Sequence, residues 1–151
     1  MANLERDLLF LLHEVSSKIR LEFDRKARAH GMTRAQWVIM WWIDRRPGLS
    51  QRELAEILEV EPITVARLLD RLEARGMLER RPDPADRRMW RLHLCPPSTS
   101  LIVDIINARA DLAQQATSRL SPDGETQMVD ALLTIKESLN TERRADHRDV
   151  A

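Results

Sequence analysis

One stretch, residues 50–94, restricts the fold more than any other part of the chain. It opens with Ser50-Gln51-Arg52-Glu53, a capping box in which the Ser50 hydroxyl can accept from the third amide while Glu53 reaches back. Leu54, Ala55, Ile57 and Leu58 give one apolar face over about two turns. A break at Glu59-Val60-Glu61 precedes Pro62, which suits the first position of a new helix, where a missing N–H costs nothing. Val65, Leu68, Leu69 and Leu72 repeat at helical spacing, and Gly76 stops that helix as a left-handed C-terminal residue. Two short helices joined by a tight turn are the minimal helix-turn-helix. Such turns often carry glycine where this chain has Glu59, so a left-handed or altered residue is expected there.

The next residues sharpen the reading. Met77 to Arg81 and Met89 to Leu94 alternate well enough to be two strands, with Trp90, Leu92 and Leu94 on one face of the second. Between them lies Pro82-Asp83-Pro84-Ala85-Asp86-Arg87-Arg88, a polar, turn-forming connection. A helix-turn-helix followed at once by an arginine-tipped hairpin is a winged helix, and the hairpin offers a second DNA contact beside the reading helix. The stretch LLDRLEARGMLERRPDPADRRMWRLHL resembles the recognition-helix end, linker and wing of the MarR/SlyA transcriptional regulators, including an Asp-Arg-Arg wing signature at Asp86, Arg87 and Arg88. The resemblance runs from about Leu4 to Leu139, nearly the whole chain.

The formal net charge is zero, 24 cations against 24 anions, which at first argues against a nucleic-acid binder. Distribution matters more than the sum. Residues 80–91 hold Arg80, Arg81, Arg87, Arg88 and Arg91 against Asp83 and Asp86, a local excess of three positive charges. Neutralising phosphates needs a local stripe, not a basic whole. Four scattered histidines (His13, His30, His93, His147) have no metal-ligand spacing, and no phosphate loop or nucleophile motif is present. His13 and Glu14 are adjacent on a helix and do not share a face. Neither an enzyme nor a cofactor or metal is expected. The longest apolar run, residues 37–43, is far short of the roughly 20 residues a bilayer span takes. With a single cysteine and no leader pattern, the expected compartment is the cytoplasm.

Asn3 can cap a long first helix running to about Ala29, with Gly31 beyond its end. Leu4, Leu8, Leu11, Leu12, Val15, Ile19 and Phe23 form its stripe. Such a helix is roughly 40 Å long at about 1.5 Å per residue, too long for a compact winged core to cover. Thr33 with Gln36 caps a second helix containing Trp37, Val38, Met40, Trp41, Trp42 and Ile43, ended by Arg45-Arg46-Pro47-Gly48. After the hairpin, Cys95-Pro96-Pro97-Ser98 departs from the family pattern of a threonine and a polar first turn. The fifth helix is expected from about Pro96 to Arg119, and a sixth from Ser121-Pro122-Asp123 onward, with Met128, Val129, Leu132, Ile135 and Leu139 apolar. The fold class is therefore mainly α with a small β-hairpin wing, a winged helix-turn-helix core flanked by long dimerisation helices. The organisation is 1–32 and 96–140 dimerisation helices, 33–95 DNA-binding domain and 141–151 flexible tail. Leftover apolar faces are buried most simply against a second copy in a two-fold interface. The resemblance implies the same homodimer, built from the first, fifth and sixth helices.

A two-fold dimer places two reading helices in successive major grooves and calls for a palindromic site. Glu61, Pro62, Ile63, Thr64, Arg67 and Arg71 are free of core duty. By resemblance Pro62, Thr64 and Arg67 are the base-edge and phosphate contacts, and Arg67 can hold a guanine bidentately. Gln51 and Arg52 would touch phosphate, and Arg71 is a further candidate. Arg87 or Arg88 would enter the minor groove, with Asp86 bracing one of them by an ion pair. The plain alternative for each of these arginines is a solvated surface charge or an ion pair along its own helix, for Arg67 and Arg71 with Asp70 or Glu73. The resemblance also implies release from DNA by small phenolic or aromatic-carboxylate molecules, acids or thioesters, lodged between the dimerisation helices and the winged core. His13, Ser16, Ser17 and Arg20 on the first helix and Trp37, Met40 and Trp41 on the second supply the matching surface. Three tryptophans within six residues cannot all face one pocket, so at least one belongs to the core. The alternative readings are an effector-independent regulator, redox sensing at Cys95, or a winged helix serving only protein contacts.

Overall fold

Local capping signals set the helices. The structure, a computed structural model, describes residues 6–146. The first helix, α1, is Leu8–Ala29; its N-cap is Asp7, whose carboxylate accepts from the Phe10 amide at 2.8 Å. The expected cap Asn3 and the first stripe residue Leu4 lie outside the described residues. Gly31, with φ +65°, follows the helix end in the left-handed region that favours glycine. The second helix, α2, is Arg34–Arg45 and opens on the Thr33–Gln36 capping box. The third, α3, is Gln51–Leu58, with Ser50 and Glu53 closing the second capping box. Glu59 takes the left-handed conformation at φ 53°, as the missing glycine required. Pro62 then opens α4, Pro62–Ala74.

The hairpin strands are β1, Leu78–Pro82, and β2, Trp90–Leu94, antiparallel with Arg80 opposite Leu92 and Pro82 opposite Trp90. Each begins one residue later than alternation predicted. A bridge from Ser50 to Arg91, with the Leu92 amide donating to the Leu49 carbonyl at 2.8 Å, ties the loop before α3 onto β2. The fifth helix, α5, is Thr99–Thr117, not a helix from Pro96. Pro96–Ser98 form a 3-10 turn because the Cys95 carbonyl accepts from both the Ser98 amide (2.9 Å) and the Ser98 hydroxyl (2.6 Å). The sixth, α6, is Pro122–Asp146, so the backbone stays helical past residue 141, where a tail was expected. No described helix is long and apolar enough to cross a membrane.

The chain divides inside α5 into two compact units, one up to Leu112 and one from Ala113. The core of the first joins Trp37, Ile39, Met40 and Ile43 of α2, Leu54 and Ala55 of α3, and Val65, Leu69 and Leu72 of α4. It is completed by Leu78, Leu92 and the α5 residues Leu101, Ile102 and Ile105. Each fully buried aliphatic side chain contributes about 1.5–3 kcal/mol relative to exposure. The α1 stripe is only partly covered: Phe23 packs on the core, whereas Leu8, Leu11 and Val15 are exposed. In the second unit, Met128, Val129, Leu132 and Leu139 of α6 are likewise exposed.

Candidate nucleic-acid interface

The α4 surface is set by which charges find partners. Thr64, Arg67 and Arg71 are exposed, as is Pro62 at the helix start. The alternative pairing of Arg67 and Arg71 with Asp70 or Glu73 does not form. Arg80 of β1 takes both acids: its guanidinium reaches Asp70 at 2.7 Å and forms an ion pair with Glu73, while its amide donates to Glu73 at 3.2 Å. Among the described residues neither Arg67 nor Arg71 has a partner for its guanidinium. At the start of α3, Gln51 donates to the Pro62 carbonyl at 3.5 Å, and Arg52 pairs with Glu56 one turn on at 3.0 Å.

Asp83 organises the hairpin tip. It is only 8% exposed, and one carboxylate oxygen accepts from the amides of Ala85 (2.7 Å) and Asp86 (3.2 Å). The other accepts from Arg91 Nε at 2.5 Å, and the same guanidinium reaches Glu53 at 3.1 Å and the Gly48 carbonyl at 3.3 Å. Arg91 therefore pins the wing loop to the capping box of α3. Its hydrogen bond, then the Ala85 amide, hold the Asp83 carboxyl below its ordinary value; the Ser50 amide and hydroxyl do the same for Glu53. Sequence reasoning counted Arg91 as a wing charge and missed this clamp. The expected ion pair at Asp86 is also corrected: its carboxylate accepts from the Arg88 backbone amide at 3.0 Å, shaping the turn instead of bracing a guanidinium. Arg81 pairs with Glu79 across one strand residue. Of the five arginines in the local excess, Arg87 and Arg88 at the tip are the two without a side-chain partner among the described residues.

Arg88, Gln51, Arg52 and Pro62 come together around one groove of about 410 Å³, walled on the hairpin side by Arg80, Met89, Trp90 and Leu92. Thr64, Arg67, Arg71, Asp86 and Arg87 lie outside that lining.

A second concavity, of about 270 Å³, lies among Phe23 of α1, Arg34, Trp37, Trp41 and Trp42 of α2, and Ile105 and Arg109 of α5. Of the expected effector residues only Trp37 and Trp41 line it. Met40 is fully buried in the core, and His13, Ser16 and Arg20 are exposed on α1, where Arg20 donates to the Ser17 hydroxyl at 2.9 Å. Two cations line it: Arg34 pairs with Asp24 at 3.2 Å, while the Arg109 guanidinium sits 4.2 Å from the Trp41 ring centre and 5.9 Å from that of Phe23. Burial, then the nearby charge of Arg45, push the pKa of Arg109 down. The indole N–H groups of Trp37 and Trp41 are buried without a hydrogen-bond acceptor. A signal for Arg109 was present: it falls at helical spacing with Ile102 and Ile105, a cation on an apolar face.

Comparison with known proteins agrees with this architecture. The model of the MarR family matches residues 30–89. The transcriptional regulator HosA of Escherichia coli O111:H- is 31% identical over 96 residues, 64% of this chain and 70% of that protein. A putative transcriptional regulatory protein for the hcr operon of Thauera aromatica is 32% identical over 91 residues, 60% of this chain. The matched part spans about half of that relative, 55% of its length. The S. aureus MepR–DNA complex shares the fold, with a TM-score of 0.79 over 89% of this chain and 98% of that one at 23% identity. With its helix-turn-helix, its wing and these relatives taken together, the chain belongs to the MarR family of winged-helix transcriptional regulators.

Proposed function

We propose that the chain is a DNA-binding repressor that acts as a homodimer on a palindromic operator. The observation that carries this reading is the charge pairing around α4 and the hairpin. The acids Asp70, Glu73 and Asp83 are engaged by Arg80 and Arg91, leaving Arg67, Arg71, Arg87 and Arg88 unpartnered among the described residues and exposed. Four guanidiniums at the reading helix and wing tip suit phosphate and base edges. The shared fold with MepR, solved on DNA, supports the same use. Exposed apolar side chains on α1 (Leu8, Leu9, Val15, Leu21) and, in the other unit, on α6 support burial against a second copy. Anisotropy of labelled duplexes against salt tests the reading: log affinity should fall linearly and steeply with log salt. Salt-independent binding, or none at low salt, would leave a protein-contact module instead.

Release by a small aromatic acid or its thioester is the second part of the proposal. A flat anion would stack on the tryptophan walls and place its carboxylate on Arg109. A thermal-shift series with benzoates and their thioesters should raise the melting temperature of the wild type and lose that effect in Arg109→Ala. An effect lost in Arg20→Ala but kept in Arg109→Ala would return the site to the exposed face of α1. No effect with any acid would remove the effector. Redox control has less support: burial, then the charge of Glu79, push the Cys95 thiol up, suppressing the thiolate that oxidation requires.

A further inference from the structure

The groove between the start of α3 and the hairpin contains a large side chain that neither the fold nor the arginine contacts explain. Trp90 opens β2, and residues two apart on a strand share a face. Along that face Leu92 is fully buried and Leu94 half-buried, but Trp90 is 51% exposed, so the apolar face runs off the core and ends over the groove. Its ring stacks on no aromatic side chain or cation among the described residues. Around it the groove is cationic. Arg88 has no partner for its guanidinium among the described residues, and Arg52 is held only by an exposed pair with Glu56, of a kind worth about 0.3–0.5 kcal/mol.

We propose that this groove seats one strand of duplex DNA backbone, with the Trp90 ring packed on a deoxyribose and its indole N–H donating to the adjoining phosphate. The inference rests on the DNA-binding reading and adds to it a contact outside the arginine set. A groove with guanidiniums at the rim and one indole at the wall matches a polymer that alternates anionic and apolar groups at short intervals. A sugar–phosphate strand does so, and tryptophan combines a broad apolar face with a single donor. An acidic peptide would satisfy the arginines but leave the indole face without a matching surface.

The salt dependence separates this contact from a cationic one, because tryptophan neutralises no phosphate. Anisotropy with a mixed-sequence duplex should show Trp90→Ala binding roughly tenfold more weakly at every salt concentration, equivalent to about 1.4 kcal/mol, with the log–log slope unchanged. Arg88→Ala should instead lower the slope by about one. Duplex should also change the intrinsic fluorescence of the wild type, and Trp90→Phe, which conserves an aromatic ring, should remove most of that change. Wild-type affinity in Trp90→Ala, or a fluorescence change that persists in Trp90→Phe, would overturn the proposal while leaving DNA binding intact. Absence of duplex binding by the wild type would overturn both. If polyglutamate shields Trp90 from acrylamide and duplex does not, the occupant is an acidic peptide and the proposal fails.

Discussion

At the scale of single residues, Asp83 shows how one carboxylate can set the shape of a hairpin tip. It receives two backbone amides and one guanidinium, and that guanidinium also holds Glu53 of the α3 cap. Asp83→Asn keeps the size but loses the charge, so the melting temperature should fall at neutral pH. Amide exchange at Ala85 and Asp86 should accelerate. The pH dependence follows from direction. Asp83 and Glu53 titrate below their ordinary values of 3.8 and 4.5, so the stability they bring is complete at neutral pH. It is lost as pH falls through the lower folded values. Thermal melts from neutral to acid pH should show a shallower acid limb in Asp83→Asn than in the wild type; parallel limbs would mean that the carboxylate is not coupled to folding. None of this was legible beforehand, because Asp83 between two prolines reads as an ordinary turn residue.

At the scale of elements, α4 is a core helix on one face and, in the proposed function, a reading helix on the other, and the two faces separate cleanly. Val65, Leu69 and Leu72 are fully buried, while Thr64, Arg67 and Arg71 face outward. Arg80 and Arg67 are both basic, yet they should behave oppositely. Arg80→Ala releases Asp70 and Glu73 and should cost about 1 kcal/mol of stability, read as a lower melting temperature. Arg67→Ala should leave the melting temperature unchanged, weaken operator binding by about 1–3 kcal/mol and lower the salt slope by about one. A destabilised Arg67→Ala would place that side chain in the fold instead. The faces of α4 were readable from its 3.6-residue period, because core packing acts on every turn. The start of α5 was not: a hydroxyl and an amide of the same serine bonding one carbonyl decided between an α-helix and a 3-10 turn.

At the scale of the whole molecule, the question is what covers the long helices. Leu8, Leu9, Val15 and Leu21 of α1 are all more than half exposed. A dimer that buries them should be broken by Leu8→Glu with Val15→Glu. Because these positions are solvent-facing in the single chain, the double variant should fold and sediment as a monomer. It should also lose more than tenfold in affinity for a palindromic duplex, since the second half-site no longer comes for free. A wild type that sediments as a monomer at micromolar concentration would sink the dimer.

Several features were fixed within three or four residues of chain and so could be read directly. Examples are the capping boxes of Thr33 with Gln36 and Ser50 with Glu53, the proline opening α4, and the left-handed Glu59. Helical periodicity and strand alternation then carried the winged-helix reading, because burial imposes those periods on sequence. Partner choice among charges was decided only in three dimensions. Arg91 meets Glu53 from 38 residues away, Arg80 withdraws both acids from α4, and Arg109 rather than Arg20 stands over Trp41. A guanidinium reaches several ångströms in any direction, and identical arginines therefore differ in role solely through the neighbours that folding brings to them.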